Sequence, residues 1–552
     1  MQEVTLISGA EAASARCGFD VIGRLLFTQI RLDAQPFITP MILRDGDTER
    51  VVVRQQETGN MLSSGANLDD LVFYEPWVSI DRRVLEGIPV SPTLADALAP
   101  IVGDRVLLLD AGVVRAHHDA LGRRMRVRVE AAELKPVRVS EIRHSDVLEW
   151  FAAAREESEP VAQRLLGEAP HLRPLGEYIG SFADTRFIAL RELLASTAQD
   201  ALLVSSPPNY SELTAMGHRP GSWVLFAPSS DTLYLVNEFT GDADPHDSHT
   251  FASLPEAVRE LVGGQRLAIE EQYLSAALAL ELENVGFSLG SVSLALGNWR
   301  DTRDREDLAA QLIAARATTE AIEEALEVAK QRIEHGETFT ENDIYLEFLE
   351  QLSIFAKKHE LPVELKPYFA NLTASERMLF PGPPTDFEVG PGTRCVQLDA
   401  GIRVAKNGVV LATSDMARTL PLTADARSAY AVLTNVMRNT TIPALRPGTV
   451  CEDVHSLTMA ELERVRDELE ACGVMAPGVD FAAEYRNRNV GHLMGKQESF
   501  ANELRPGHKQ TLSAGAIGAA EIPWRFDKYS LATEDMWLIG EQDTFNLTLR
   551  KH

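Results

Sequence analysis

Five side chains in the C-terminal half of the chain can donate an oxygen or a nitrogen to a metal ion: Asp399, Asp415, His492, Glu521 and Glu534. Asp399 follows the apolar segment 395–398, and Asp415 follows the apolar run 409–412. A carboxylate buried beside such a segment costs several kcal/mol unless a cation or hydrogen bonds compensate its charge. Each residue taken singly is explained by a helix cap or an ion pair, but the five together predict metal binding.

The motifs around these residues come in a characteristic order. The chain carries Asp-x-Gly, then Ser-Asp-x-x-Arg-Thr, then Gly-His, then Glu-x-Pro, and finally Glu-Asp before an apolar strand. This order resembles the creatinase/aminopeptidase P/prolidase superfamily, the pita-bread metallohydrolases, over residues 306–552. Residues 184–236 resemble the creatinase-like N-terminal domain of that superfamily, preceded by an extra domain as in three-domain aminopeptidases P.

The resemblance implies a role for each of the five donors. It makes Asp399 a chelating ligand of one ion, Asp415 and Glu534 bridges between two ions, and His492 with Glu521 the ligands of the second ion. Four carboxylates and one imidazole suit two Mn(II), Fe(II) or Co(II) ions, with Zn(II) as an alternative. A water between the ions would have a lowered pKa and attack a polarised carbonyl, with Glu521 as the proton acceptor. The resemblance also implies a homodimer.

The chain departs from the peptidase pattern at the groups that hold the substrate. In the peptidases one histidine usually follows the ligand histidine by seven residues and another precedes it by four, where this chain has Ser499 and Arg488. A further histidine expected before the first ligand strand is absent, and the arginine often found two residues before the last glutamate is Ala532. Donors that stabilise an oxyanion contribute about 3–4 kcal/mol each in other hydrolases. The metal site is therefore expected with a rebuilt substrate pocket.

Cations near the ligand motifs could bind an anionic substrate or replace the missing donors. The candidates are Arg488, Lys496, His508 and Arg525. A solvated or structurally paired side chain is the alternative for each of them. Glu498 is a further acid/base candidate for which surface exposure is the plainer interpretation.

These observations favour a metal-dependent hydrolase acting on an amide or another C–N bond in a small molecule or short peptide. Four alternatives stay open. The lost histidines are compatible with a metal-assisted lyase or rearrangement enzyme on the same fold. A plain Xaa-Pro aminopeptidase is the activity that the family pattern alone suggests. A non-catalytic binding protein would use the fold as a dimeric platform, and a relative that works without metal is also possible.

The elements around the motifs predict an α+β domain. Apolar residues recur at three- and four-residue steps over 308–333, the period of a buried helical stripe. Gly336 then ends that helix, and Thr340 with Asp343 forms a capping pair that opens a second helix through Phe355. A similar helical pair follows residue 423, with short strands at 395–398 and 409–412 before it.

The upstream half predicts two α/β domains. A helix is expected over 185–197 with strands at 201–205, 223–226 and 232–237, and earlier strands at 24–30, 50–54 and 105–110. The predicted domains are 1–145, an α/β N-terminal domain; 146–305, a creatinase N-terminal-like α/β domain; and 306–552, the pita-bread metal-binding domain. The polar runs His117-His118-Asp119 and 242–249 are interpreted as solvated loops rather than metal sites.

Composition narrows the possible partners. The chain has 552 residues and a formal net charge of −28, which opposes binding to nucleic acid or to anionic lipid. Four scattered cysteines give no disulfide or zinc pattern, which favours a reducing cytoplasm. The most apolar stretch, 273–299, contains Glu281 and Glu283 and is expected not to cross a membrane.

Overall fold

The computed structural model describes residues 3–549 except for 76–88, 240–248, 263, 302–303, 376, 378–381, 474, 476–477, 479, 481–487, 495, 497 and 526–529. Side chains are further left out at 301, 304, 498–501, 523–525 and 530. In the described ranges, no helix is both long enough and apolar enough to span a bilayer.

The first domain is built on a seven-stranded mixed sheet. Its strands are Val4–Ile7 (β1), Met41–Asp45 (β2), Thr48–Arg54 (β3), Leu71–Tyr74 (β4), Val90–Ser91 (β5), Leu107–Leu109 (β6) and Val127–Val129 (β7). Its helices are Ala10–Cys17 (α1), Val21–Arg24 (α2), Leu26–Ile30 (α3), Gln35–Ile38 (α4), Thr58–Ser63 (α5), Leu94–Val102 (α6) and Arg115–Gly122 (α7). The strand order is β5-β4-β3-β2-β1-β6-β7, so β1 lies inside the sheet and is fully flanked.

The second domain contains another seven-stranded sheet. Its strands are Val137–Arg143 (β8), Ala201–Val204 (β9), Ser222–Phe226 (β10), Thr232–Glu238 (β11), Thr250–Phe251 (β12), Arg266–Ile269 (β13) and Ser288–Ser291 (β14), in the order β12-β8-β11-β10-β9-β13-β14. Its helices are His144–Glu168 (α8), Arg186–Ser196 (α9), Pro207–Thr214 (α10), Leu254–Leu261 (α11), Ala276–Asn284 (α12) and Ser293–Asp301 (α13).

The two sheets share a pairing pattern over five strands. In the first sheet β3, β2 and β1 pair antiparallel, and β6 and β7 continue parallel to β1. In the second sheet β11, β10 and β9 pair antiparallel, and β13 and β14 continue parallel to β9. Because β8 pairs with β11 in the second sheet, the boundary predicted at residue 145 moves to the segment between Val129 and Val137.

Two upstream predictions are wrong in their local structure. Residues 24–30 were expected to form a strand, but they belong to α2 and α3, and the apolar side chains of Leu26 and Ile30 pack together on the rings of Tyr368 and Phe369. This long-range packing overrides the local strand propensity. His117 was expected in a solvated loop, but it lies buried in α7, with Nε2 2.8 Å from the carbonyl oxygen of Phe37. Of the polar run 242–249, all residues but His249 lie outside the described residues.

The C-terminal region forms two curved sheets against long helices. The helices are Leu308–Glu334 (α14), Glu341–Lys358 (α15), Ala424–Val436 (α16), Ile442–Ala444 (α17), Cys451–Arg464 (α18) and Arg466–Ala471 (α19). The strands are Phe339–Thr340 (β15), Glu364–Ala374 (β16), Glu388–Val389 (β17), Cys395–Lys406 (β18), Val409–Thr413 (β19), Met416–Pro421 (β20), Gly491–Met494 (β21), Glu498–Glu503 (β22), Ile517–Arg525 (β23), Ser530–Ile539 (β24) and Thr544–Asn546 (β25). The predicted helical pair and its capping box at Thr340 and Asp343 are confirmed.

One sheet has the order β16-β18-β19, with β20 also paired to β18, and the other has the order β22-β21-β23-β24-β25. They meet where the hydroxyl of Thr419 on β20 donates to the carbonyl oxygen of Ala532 on β24 at 2.9 Å. The same hydroxyl accepts a hydrogen bond from the backbone N–H of Ala532 at 3.2 Å. The two ligand-bearing sheets are thus joined directly, and the predicted α+β class of this region is confirmed.

A carboxyl group is buried in the first domain. Oε1 of Glu57 accepts hydrogen bonds from the backbone N–H and the hydroxyl of Thr28 at 2.9 and 3.1 Å, and Oε2 accepts one from Nδ2 of Asn60 at 2.7 Å. Burial raises the pKa of Glu57 from 4.5 to about 7 against the lowering effect of these bonds and of Arg54. Glu57 is therefore partly protonated near neutral pH.

The raised pKa of Glu57 predicts a pH-dependent stability. Between pH 4.5 and about 7 the folded chain holds a proton that the unfolded chain releases, so the free energy of unfolding falls as the pH rises. The loss is about 3 kcal/mol across that window. Glu57→Gln should remove it, which urea unfolding of both proteins at pH 4.5 and pH 8 would measure. The same pH dependence in both proteins would contradict the prediction.

Candidate metal centre

Two of the acidic residues lie on one face of the sheet formed by β16, β18, β19 and β20. Asp399 stands in the middle of β18 and is paired with Ala417 of β20. Asp415 lies two residues before Ala417, and side chains two residues apart along a strand point to the same face. Asp399 and Asp415 are therefore on the same side, and Asp415 is only 4% exposed.

The extended segment that carries Asp415, between β19 and β20, is held from two sides. The hydroxyl of Tyr368 donates to the carbonyl oxygen of Ser414 at 3.2 Å, and Oγ of Ser414 hydrogen-bonds the hydroxyl of Thr318 on the buried helix α14. Gly401, in the Asp-x-Gly motif, makes this packing possible. A Cβ atom there would lie 2.5 Å from the carbonyl oxygen of Ser414 and 2.6 Å from the ring of Tyr368.

His492 is oriented by its own strand. It lies on β21 opposite Ala519 of β23, and its Nδ1 is 3.1 Å from the carbonyl oxygen of Leu493. Because a carbonyl only accepts, Nδ1 carries the hydrogen, and the lone pair of Nε2 is directed at the carboxylates. Nε2 lies 3.6 Å from Oδ2 of Asp415 and 3.9 Å from Oε1 of Glu534.

The two glutamates are neighbours across the second sheet. Glu521 on β23 stands directly opposite Glu534 on β24, so their side chains share a face. Ala519, the partner of His492, lies two residues before Glu521 on the same face. His492, Glu521 and Glu534 therefore project from one side of this sheet.

The structure brings three of the five predicted donors into one cluster. One ligand atom each of Asp415, His492 and Glu534 lies within 4.8 Å of the others, and all three side chains are buried. Asp399 and Glu521 are placed on the same two faces, outside this 4.8 Å trio. Two buried carboxylates and a correctly oriented imidazole suit a divalent cation, which would compensate their charge.

A buried ion pair fixes the strand that carries Glu534. Arg418 on β20 donates to the carbonyl oxygen of Glu534 at 2.5 Å and to Oδ1 of Asp535 at 2.6 Å, and Arg438 donates to Oδ2 of Asp535 at 2.8 Å. Burial alone would raise the pKa of Asp535, but the charges of Arg418 and Arg438 outweigh it and hold the pKa at about 2. Arg418 and Asp535 both belong to the sequence motifs, so the motifs already contained the two partners of this ion pair.

Of the four cationic residues predicted to bind substrate, Lys496 forms buried ion pairs within the protein. Lys496 is buried, with Nζ 2.8 Å from Oδ2 of Asp307 and 3.0 Å from Oε2 of Glu212. Burial lowers the pKa of Lys496, and the two carboxylates more than offset this, so that the pKa is raised. Lys496 thus joins the C-terminal strand region to the second domain, which is the structurally paired alternative considered for it in the sequence.

The other three candidates lie at the edges of the second curved sheet. Nδ1 of His508 accepts a hydrogen bond from the backbone N–H of Glu503 at 3.1 Å. Arg488 is partly buried and lies three residues before β21, and Arg525 ends β23 with its side chain outside the described residues. The side chains of Glu498 and Ser499 on β22 are likewise outside them. Binding of a substrate by these residues stays a prediction.

Gly491 shows why a glycine precedes the ligand histidine. Its φ is +134°, and a Cβ atom there would lie 2.2 Å from the carbonyl oxygen of Ala519. Gly491→Ala should therefore push β21 away from β23, displace His492 and cost at least about 3 kcal/mol of stability. The matched control is Gly507→Ala, at φ +90° with nothing within 4 Å of the added atom; only the local backbone cost of about 1–2 kcal/mol is expected there. Equal unfolding free energies for the two variants would contradict the prediction.

Two joined sheets that converge on a buried cluster of carboxylates and an imidazole form the pita-bread fold with a candidate metal centre. Residues 310–541 match metallopeptidase family M24, and this part of the chain is an M24 domain. The superfamily resemblance seen in the sequence is thereby confirmed. No curated protein matches the chain.

Solved structures share the fold. The prolidase from Pyrococcus furiosus is 16% identical, with a TM-score of 0.50 over 66% of this chain and 100% of its own. The prolidase from Pyrococcus horikoshii OT3 is 17% identical, with a TM-score of 0.51 over 67% and 99%. The N-terminal domain of the FACT complex subunit SPT16 from Cicer arietinum is 13% identical, with a TM-score of 0.53 over 67% and 97%. The 66–67% of this chain that the three structures cover is a longer stretch than residues 310–541, so the shared fold extends upstream of the M24 domain.

Proposed function

We propose that the protein is a metal-dependent hydrolase of the peptidase kind that cleaves a C–N bond in a short peptide or a small amide. The observation that carries this proposal is the convergence of Asp415, His492 and Glu534 within 4.8 Å in a buried site. The M24 match over residues 310–541 supports the same reaction class. A divalent cation would compensate the charge of these buried carboxylates.

The five donor side chains would have different roles in metal binding and catalysis. Asp415, His492 and Glu534 would hold a divalent ion, and Asp399 and Glu521 would complete a site for two, with Mn(II), Fe(II) or Co(II) preferred and Zn(II) as the alternative. Such ions polarise a carbonyl group and lower the pKa of a bound water. Glu521 stands beside Glu534 on the neighbouring strand, from where its carboxylate would accept a proton from the attacking water.

The substrate is proposed to differ from an ordinary Xaa-Pro peptide. Ala532, at the position where an arginine is often found, carries only a methyl group and lies at the joint between the two sheets. Ser499 and Arg488 replace two histidines that would hold the scissile carbonyl. Plain Xaa-Pro aminopeptidase activity is the second candidate, favoured by the fold shared with the Pyrococcus prolidases.

The test is hydrolysis by the purified full chain after dialysis against a chelator and reloading with Mn(II). Xaa-Pro dipeptides, other dipeptides and small amides should be compared, with release of an amine as the readout. We expect turnover that disappears with the metal and returns on reloading. Undiminished activity after metal removal would contradict the proposal, and lack of solvent oxygen from ¹⁸O-labelled water in the product would favour a lyase instead.

The assembly and the location of the protein remain proposals as well. A homodimer is supported by the superfamily resemblance alone, and sedimentation velocity would test it. A reducing cytoplasm is supported by the four scattered cysteines, none of which is in a disulfide in the structure. No interaction with nucleic acid is expected at a net charge of −28.

A further inference from the structure

The first domain contacts the C-terminal region in two places, on β16 and at Gly382 between β16 and β17. One contact is formed by α3, whose Leu26 and Ile30 pack on Tyr368 and Phe369 of β16. The hydroxyl of Tyr368 in turn donates to Ser414, next to Asp415. The first domain therefore lies directly behind the segment that presents one of the clustered ligands.

The second contact leads to Asp399. Nδ2 of Asn371 donates to Oδ2 of Asp399 at 3.1 Å, and Oδ1 of Asn371 accepts a hydrogen bond from the backbone N–H of Gly382 at 2.9 Å. Asn371 stands opposite Asp399 on β16 and is only 6% exposed. Its amide is thus fixed at both ends, which fixes one oxygen of the carboxylate of Asp399.

Gly382 is covered by the first domain. A Cβ atom on Gly382 would lie 2.9 Å from Oδ1 of Asn60, a residue of α5 that is completely buried. Nδ2 of Asn60 donates to Glu57, and Glu57 accepts two further hydrogen bonds from Thr28 of α3. Glu57 therefore ties together the two helices of the first domain that reach the catalytic domain.

We propose that the first domain positions one ligand of the metal centre. Asn60 of α5 sets the position of Gly382, and Asn371, which is hydrogen-bonded to Gly382, sets the position of the carboxylate of Asp399. Asn371 and Asn60 are positioning residues, since neither is expected to touch the ion. The inference rests on the proposed function, because it assigns a purpose to Asp399 as a ligand. Partners of a metal ligand commonly change metal affinity 10- to 100-fold when they are removed.

A purely structural contact would make a different prediction. If α5 only stabilised the fold, its loss would lower the free energy of unfolding without altering the affinity of the folded protein for metal. If it positions Asp399, the affinity for Mn(II) must change. By linkage, Mn(II) must also protect α5 from hydrogen exchange, although α5 contributes no ligand.

The experiment is a double-mutant cycle on the full chain, with Mn(II) affinity measured by calorimetry. Asn371→Ala should weaken binding about 10- to 100-fold and Asn60→Ala less, and the double variant should bind no more weakly than Asn371→Ala alone because the two act in series. The matched control is Asn67→Ala, an exposed residue of the first domain whose side chain accepts a hydrogen bond from Asp69 N–H. It should leave the affinity unchanged.

A second cycle keeps the test decisive if Asn371→Ala folds poorly. Gly382→Ala should weaken Mn(II) binding in the wild-type background, where the new methyl group meets Asn60, and should have little further effect in the Asn60→Ala background. Hydrogen exchange of α5 should slow on Mn(II) addition in the wild-type protein and not in Asn371→Ala. Unchanged affinity in the folded Asn371→Ala and Gly382→Ala variants, or additive effects of Asn60→Ala and Asn371→Ala, would overturn the inference alone. A wild-type protein that binds no Mn(II) would overturn the proposed function itself.

Discussion

Asp415→Asn should abolish hydrolysis and metal binding while leaving the fold intact. Asparagine keeps the shape of the side chain, but it removes a charge from a cluster whose ligand atoms lie within 4.8 Å of one another. Loss of the ion should remove several kcal/mol of transition-state stabilisation, a rate decrease of roughly 10³-fold or more. No other single substitution is expected to separate folding from activity as cleanly.

Thermal unfolding with and without Mn(II) measures the binding part of this prediction. A ligand present at 100 times its dissociation constant stabilises a protein by about 2.7 kcal/mol. The melting temperature of the wild-type protein should therefore rise with Mn(II), and that of Asp415→Asn should not. Asp453→Asn, an exposed position on α18, is the control and should behave as the wild type. A normal metal-dependent rise in Asp415→Asn would contradict the assignment of this residue.

Arg418→Met should cause a large loss of stability although Arg418 is outside the trio. Arg418 is buried and bonds Asp535, which is itself completely buried. Removing one partner of a buried ion pair leaves an uncompensated charge and typically costs 3–5 kcal/mol. The backbone hydrogen bond to Glu534 is lost as well, so the metal-binding strand should loosen together with the fold.

The pH dependence separates this effect from a simple packing defect. Because the folded-state pKa of Asp535 is about 2, below its ordinary 3.8, its stabilising contribution is present above pH 3.8 and lost as the pH falls from 3.8 to 2. In Arg418→Met the pKa of Asp535 should rise, so acid unfolding should begin at a higher pH. Urea unfolding across pH 2–7 would show this, with Arg427→Met on the exposed face of α16 as control. If the stability of Arg418→Met began to fall at the same acidic pH as that of the wild-type protein, the role of Arg418 would be contradicted.

The ligand motifs could be predicted from the sequence because each is local and carries its own geometry. The glycine of Asp-x-Gly leaves room for the backbone of Ser414, and the glycine before His492 allows β21 to approach β23. Such constraints act over a few residues, so they leave a pattern that can be recognised. The capping box at Thr340 and Asp343 was predictable for the same reason.

The contacts that position the site were missed because their partners are distant in the chain. Lys496 pairs with Asp307 across 189 positions, and a lysine beside a ligand motif gave no sign of that partner. Asn371 had a weak signal, a single amide inside the apolar strand β16, but its bond to Asp399 depends on strand register. Residues 24–30 were expected to form a strand because the packing of Leu26 and Ile30 on Tyr368 and Phe369 is a long-range contact that the local sequence does not show.

Crystals of the protein grown with Mn(II), examined by anomalous diffraction at the manganese edge, test the central assignment most directly. An anomalous peak should lie within bonding distance of Asp415, His492 and Glu534 together, with a second peak reaching Asp399 or Glu521. A map with no peak among these side chains, at a manganese concentration that saturates binding in solution, would show that the cluster is not a metal centre.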